Sequence, residues 1–475
     1  MMSNKLVCLL IASAFALQAS AATISINPGA GFDDATPSNT IPDQQGNNPG
    51  NTLGEMRLNL FREAAMVWGD ILNSDVTINV DAEFADLACF GSSAQLGSAG
   101  PTSTRENFGA GDANIAYAIA LAESLRGSNL NGGTAEITAT FNAKVDSDPG
   151  CLGDSFYYGL DDNAPAGTTA LFSVVLHELG HGLGFLSYVT DTGSWLNGTM
   201  DPFSRSLMDL ETGKNWADMS NAERLNSLLN EPDLVWTGAK VTADRGLHLD
   251  QAPELKINAP APAGTFEAAL GQQSTAIPGG GLTAAVVEGN SVDDLGGGPA
   301  DGCSQIASGG TFTGKIVLFD KSEEPGCTAV IQAFYTQFEG AVGLLVADTT
   351  GAGLPDVSGG LGNPITIPYI GIHKSEADQM RSNIGAANAT MQNSATKFVG
   401  ENQGKVKMYA PPSYESGSSV SHWSKTASPD LLMEPVKGAL VYKNVDLTAA
   451  AFQDIGWSVN IPGGVVELIY KDGFE

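Results

Sequence analysis

Residues 171–187 read LFSVVLHELGHGLGFLS, and the segment His177-Glu178-Leu179-Gly180-His181 inside it decides how the rest of the chain is read. Two histidines four apart on a helix project from one face, one turn above the other, so both imidazoles can reach one metal ion. The glutamate beside the first histidine is placed to act as a general base on a water rather than to ligate. The same five-residue pattern in an unrelated helix means two surface histidines. Here the preceding run (Leu171, Phe172, Val174, Val175, Leu176) is apolar enough for a buried helix, and burying a His-Glu-His face with no partner is costly. Gly180, Gly182 and Gly184 are poor helix formers that a purely structural helix would avoid.

Three protein ligands plus one open position is the usual arrangement of a catalytic zinc. The residue six positions after His181 is Ser187, whose hydroxyl is a poor ligand, although Gly184 stands where a short extended motif places its glycine. The third ligand must come from elsewhere. The remaining histidines are His248, His373 and His422. His248 is isolated among turns, and His373 ends an expected strand, where a solvent-facing ring is the plain reading. His422 sits in SHWSKTASPDLLMEP, eleven residues before Met433. A glutamate third ligand, Glu223 in NAERLNSLL, is the competing choice. It lacks the acidic residue four positions on that a thermolysin-like site expects, since Ser227 stands there.

The bulk properties bound the setting. Lys5, the apolar run 6–17 and Ala19-Ser20-Ala21 form the three parts of an export signal, with the mature chain beginning near Ala22. No other stretch is long enough to span a bilayer. Removing the signal deletes Cys8 and leaves Cys89, Cys151, Cys303 and Cys327, an even number that suggests two disulfides in an exported protein. Of the three pairings, neighbourhood in sequence favours Cys89–Cys151 and Cys303–Cys327. The 475 residues carry 23 Lys and Arg against 53 Asp and Glu, a net charge of −30. Such a surface repels nucleic acid and anionic membranes. We expect a secreted monomer acting on protein or peptide substrates; nothing indicates calcium. The last residues, from Ile461 onward, look like an appended tail suited to sorting or cell-surface retention.

Patterning predicts a strand starting near Thr23 in an irregular lead-in, then a helix over 53–72 with Leu58, Leu60, Phe61, Ala65 and Trp68 on one stripe. It then predicts a strand over 76–86, a helix over 112–126, a strand over 135–145 and the metal helix over 168–183. This succession gives an α+β class, a mixed sheet flanked by helices. Residues 188–256 form an irregular subdomain containing Trp195, Trp216 and Trp236, and 256–264 read as a linker. Beyond it, strands at 314–319 and 340–348 flank a helix at 327–338, a βαβ unit, followed by a strand at 365–372 and a helix at 374–383. A short helix over 447–456 ends at Gly456.

This second segment, about 265–398, resembles the protease-associated (PA) domain. The matching blocks are Gly314-Lys315-Ile316-Val317-Leu318-Phe319-Asp320, Cys327, Gly340-Ala341-Val342-Gly343 and Ile367-Pro368-Tyr369-Ile370-Gly371-Ile372. The resemblance implies a non-catalytic insertion that selects substrate or controls access. Residues 53–186 with 405–459 resemble the leishmanolysin-type metzincin catalytic domain, through His177-Glu178-x-x-His181, Ser421-His422-Trp423, Leu431-Leu432-Met433 and Asp454-Ile455-Gly456-Trp457. That resemblance implies a zinc endopeptidase with His177, His181 and His422 as ligands, Glu178 as general base and Met433 in a turn beneath the metal. Glu434-Pro435 follows the methionine, so the tyrosine some metzincins carry two residues on is absent. The expected order is signal 1–21, protease domain 22–256, inserted PA domain 257–400, protease domain 401–460 and tail 461–475. The reading from another class is an exported PA-domain binding protein whose zinc is structural or vestigial.

Overall fold

The computed structural model describes residues 20–41, 46–161, 163–296, 298–435 and 444–460. The signal up to residue 19, Cys8 within it and the tail from 461 lie outside the described residues. The chain forms two compact units: residues 1–247, 405–425 and 430–475 in the first, and 248–404 with 426–429 in the second.

In the first unit, β1 (Ile24–Pro28), α1 (Leu53–Ile71), β2 (Ile78–Ala85), β3 (Gly97–Pro101), α2 (Ile119–Arg126), β4 (Ile137–Asn142) and α3 (Leu171–Gly182) follow one another. The sheet order is β1-β2-β4-β3, with β1, β2 and β4 parallel and β3 antiparallel at one edge. The Thr52 side chain caps α1 by accepting from the Glu55 backbone N–H at 3.2 Å, satisfying a donor the helix cannot. Leu60, Phe61, Ala64 and Trp68 of α1 are buried with Leu171, Phe172, Val175, Leu176 and Leu179 of α3. Trp68 also donates its indole N–H to the Leu176 carbonyl at 2.9 Å, so the two helices are fastened by a directed bond as well as by apolar area.

The strand expected near Thr23 is β1, whose five residues pair with Ile78–Ala82. Two other expectations are corrected. Residues 112–118 are not helical: Asn114 has φ 60°, Ala116 bonds to Met200, and Tyr117–Ala118 pairs with Thr104–Arg105. Tertiary pairing thereby overrides local propensity until Ile119. The stretch read as a linker is largely strand, because Lys256 and its neighbours are paired on both sides and only residues 260–263 lie between the two strands.

The second unit holds β5 (Gln251–Ala259), β6 (Gly264–Glu267), β7 (Ala269–Leu270), β8 (Leu282–Glu288), β9 (Ile316–Asp320), α4 (Ala329–Phe338), β10 (Gly343–Ala347), β11 (Tyr369–Ile372), α5 (Lys374–Arg381) and β12 (Asn388–Phe398). They build one eight-stranded sheet in the order β6-β5-β12-β8-β9-β10-β11-β7. The central β8, β9, β10 and β11 are parallel, and α4 crosses from β9 to β10 as the βαβ pattern predicts. Near-continuous apolar runs such as Ile316-Val317-Leu318-Phe319 are buried on both faces, which parallel strands require. Cys89 is bonded to Cys151 and Cys303 to Cys327, one disulfide in each unit. No helix among the described residues is long and apolar enough to cross a membrane.

One buried pair in the first unit is under electrostatic load. Glu123 of α2 and Glu136 before β4 are 1 % and 0 % exposed. Glu136 accepts from the side chains of Asn79 and Asn131, whereas Glu123 has one oxygen with no partner. Burial, with the neighbouring Glu136 carboxylate adding to it, raises the Glu123 pKa. Its ionisation therefore costs stability increasingly as pH rises above the ordinary carboxylate range. Glu123→Gln should raise Tm by about 2–4 °C at pH 8, with a smaller gain at pH 5. Scanning calorimetry at the two pH values checks this, and a lower Tm at pH 8 would contradict it.

Candidate metal centre

The α3 helix carries His177 and His181 because its apolar stripe is pinned against α1, which turns the opposite face toward Leu431-Leu432-Met433 and His422. The three imidazole Nε2 atoms stand 3.1, 3.1 and 3.2 Å apart. Three nitrogens around one tetrahedral zinc at ~2.05 Å would be roughly 3.3 Å apart, so the spacing fits that ion. The other ring nitrogens explain why the three converge. His177 Nδ1 donates to the Leu432 carbonyl, His181 Nδ1 to the Phe185 carbonyl and His422 Nδ1 to the Ser418 carbonyl, each at 2.7 Å. A carbonyl can only accept, so each Nδ1 carries the proton and each Nε2 presents its lone pair. Unprotonated nitrogens facing one another at this distance have no donor among them, and a cation answers that need.

Burial pushes the imidazoles toward their neutral form. His177 falls to about 4, and His181 falls to about 3 with the neighbouring His177 adding to the effect. His422 is held well below its ordinary range, first by burial and then by the other two rings. Glu178 is also buried. Its carboxyl is pushed up to about 8 by that burial, opposed by a hydrogen bond from the Ala99 N–H of β3. A bound divalent cation would reverse the carboxyl shift by favouring the anion.

Local structure holds the group in place. Gly184, at φ 115°, turns the chain out of the helix so that the Phe185 carbonyl swings back to His181. Gly180 is required by a close approach: a Cβ there would stand 2.9 Å from Met433 Sδ. Met433 is fully buried, and its carbonyl accepts from the Trp423 N–H at 2.8 Å, tying the methionine turn to the residue after His422. Asp446 accepts from the Leu432 and Thr448 N–H groups and steadies the same turn.

The other sequence candidates lie elsewhere. Ser187 bonds Ser204 Oγ at 2.7 Å, and its N–H donates to Ser421 Oγ, so it braces the residue before His422. Glu223 caps its own helix with Ser220 and pairs with Lys214, apart from the three histidines. His373 pairs with Glu267, and both it and His248 belong to the second unit. Asp301, Cys303 and Cys327 cluster there, but both sulfurs are in the disulfide. Sequence reasoning missed β3. Its residues Gly-Ser-Ala-Gly-Pro carry no strand signal, yet Ala99 bonds Glu178 and a Cβ on Gly97 would lie 3.2 Å from Glu178 Cγ.

Residues 280–380 match the PA domain family. The second unit carries a PA domain. No curated protein matches the chain. Among solved structures the chain is similar to BSAP, a zinc aminopeptidase from Bacillus subtilis, at 19% identity and TM-score 0.23, over 32% of this chain and 35% of that one. It is similar to a peptidase M28 precursor from Shewanella amazonensis at 20% identity and TM-score 0.23, over 32% and 39%. A subtilisin-like protease, Apa1 from Pseudoalteromonas sp. AS-11, aligns at 11% identity and TM-score 0.22, over 46% and 40%. The chain thus spans well under half the length of each, and likenesses this partial define no family for the chain as a whole.

A prediction follows from the depressed imidazoles. An unfolded histidine titrates near 6.5. Stability held by the neutral buried rings is present above that value and lost as pH falls toward 4. The zinc-free protein should lose Tm between pH 6.5 and 4.5 more steeply than zinc-free His181→Gln, read by thermal unfolding in the presence of chelator. Parallel curves would contradict the neutral, buried assignment.

Proposed function

We propose that the first unit is a zinc-dependent endopeptidase of the metzincin type, exported from the cell, with His177, His181 and His422 as metal ligands. The observation that carries this reading is the convergence of three Nε2 lone pairs whose Nδ1 protons are all committed to backbone carbonyls. One zinc ion held there supplies Lewis acidity to a water and to a substrate carbonyl, which makes a serine or cysteine nucleophile unnecessary.

The chain's own residues do the rest. Glu178 neighbours His177 on the same helix, and its carboxylate is oriented by the Ala99 N–H. Its role is to take a proton from the attacking water and deliver it to the departing amine nitrogen. Met433 packs beneath the histidines and fixes the helix against the returning chain, a positioning role.

An endopeptidase needs a place for extended chain on both sides of the cut bond. Strand β3 lies at the edge of its sheet and bonds Glu178 through Ala99, so a substrate strand added along it would bring its backbone past Glu178. The net charge of −30 leaves nucleic acid out of the substrate class.

Glu178→Gln should retain one zinc per chain and lose about 10²–10⁴-fold in kcat. The assay is cleavage of an internally quenched peptide with an acetylated N-terminus and an amidated C-terminus, which an aminopeptidase cannot cut. Chelation should abolish the wild-type signal and zinc should restore it. Zinc-loaded wild type that cuts no peptide in a diverse library would favour the PA-domain binding protein with a vestigial site.

A further inference from the structure

The junction between Ala21 and Ala22 marks a change in environment. Ser20 and Ala21 are exposed, whereas Ala22 is 8 % exposed, and β1 begins two residues later. The Ala22 nitrogen faces the C-terminal end of α1, where it donates to the Gly69 carbonyl at 3.0 Å and the Leu72 carbonyl at 2.8 Å. A peptide N–H has one hydrogen, so it shares it between two acceptors. An ammonium has three and satisfies both in full. Helix α1 spans 19 residues and has no basic residue in its last turn, so the negative end of its dipole lacks a cation. Gly69 leaves the space that this docking uses, because a Cβ there would lie 2.6 Å from the Ala22 carbonyl oxygen.

We propose that export processing hydrolyses the Ala21–Ala22 bond and that the new Ala22 ammonium seats on the carbonyls closing α1, locking β1 into the sheet. The inference rests on the exported reading and adds a structural role for the processed terminus. Water cleaves the peptide bond, leaving the Ala21 carboxylate on the departing segment and the ammonium on Ala22. The sequence before the junction, Ala19-Ser20-Ala21, presents the small residues an export peptidase requires. The exchange gives up the Ser74 N–H bond to the Ser20 carbonyl and the Ala21–Asn73 bridge, both at the exposed segment. It gains a charge at the helix end whose helix packs directly on α3.

The titratable groups on the surrounding elements are Asp70 in the last turn of α1 and Asp75 in the turn after it, both exposed and both favouring the ammonium. An α-amino group titrates near 8 in an unfolded chain. Docking on carbonyls raises that value in the folded state, so the stability it contributes is present below pH 8 and lost as pH rises through the folded value.

The test uses the secreted full chain. N-terminal sequencing and intact mass should place the first residue at Ala22. A second form, secreted from a foreign leader so that it starts at Ser20, keeps all later residues and the Ser20 and Ala21 contacts, and lacks the docked charge. It should melt about 2–4 °C lower at pH 7, with the difference closing by about pH 10. A mature terminus at any other residue, or equal Tm at pH 7, would overturn the proposal. So would a deficit that stays constant with pH, since lost packing alone would give it. None of these readouts depends on zinc or on hydrolysis, so they stand whether or not the peptidase reading survives.

Discussion

Three imidazoles, His181 and His422 buried and His177 half-buried, each give their Nδ1 proton to a backbone carbonyl, and the rest of the first unit is arranged around that commitment. Donating to Leu432, Phe185 and Ser418 fixes ring orientation and tautomer together, leaving three lone pairs 3.1–3.2 Å apart. Without a cation this is a cost, since the acceptors face one another unpaired. With one it becomes a preorganised site whose ligands need no rearrangement. The carbonyls come from three different places: the turn after α3, the methionine turn and the loop before His422. The helix, the Gly184 turn and the returning chain must therefore all be in position for any one ring to be.

This dependence explains the small residues and the close contacts that a simple amphipathic helix would not carry. Gly180 lacks a side chain because Met433 Sδ occupies the space, and Trp68 reaches across from α1 to the Leu176 carbonyl. Asp446, buried at the head of the helix Thr448–Ile455, ties that helix to the methionine turn by accepting from the Thr448 and Leu432 N–H groups. A perturbation in any of these reaches the histidines through packing and hydrogen bonds.

Much of this was legible in the sequence. The His177–His181 spacing, the apolar stripe of α1 and the βαβ periodicity of the PA domain are local patterns, and local patterns survive in one dimension. Ser187, standing where a short extended motif carries its third ligand, is a signal as well, because it requires a distant residue such as His422 to complete the set. What stayed hidden is what tertiary pairing creates. Strand β3 is Gly-Ser-Ala-Gly-Pro, with no β-branched or aromatic residue, and becomes a strand only because β4 offers it a ladder. Residues 112–118 have helical composition, but Tyr117 and Ala118 are claimed by Thr104–Arg105. The carbonyls that hold the imidazoles carry no sequence signal, since any residue has one.

The central claim is that one metal ion binds His177, His181 and His422 together. Zinc-edge X-ray absorption on the purified protein, paired with anomalous diffraction at the same edge, tests it directly. The account predicts one zinc per chain, with three imidazole nitrogens at about 2.0–2.1 Å and an anomalous peak between the three Nε2 atoms. A protein that takes up no zinc, or whose zinc sits elsewhere with these rings unligated, would contradict it.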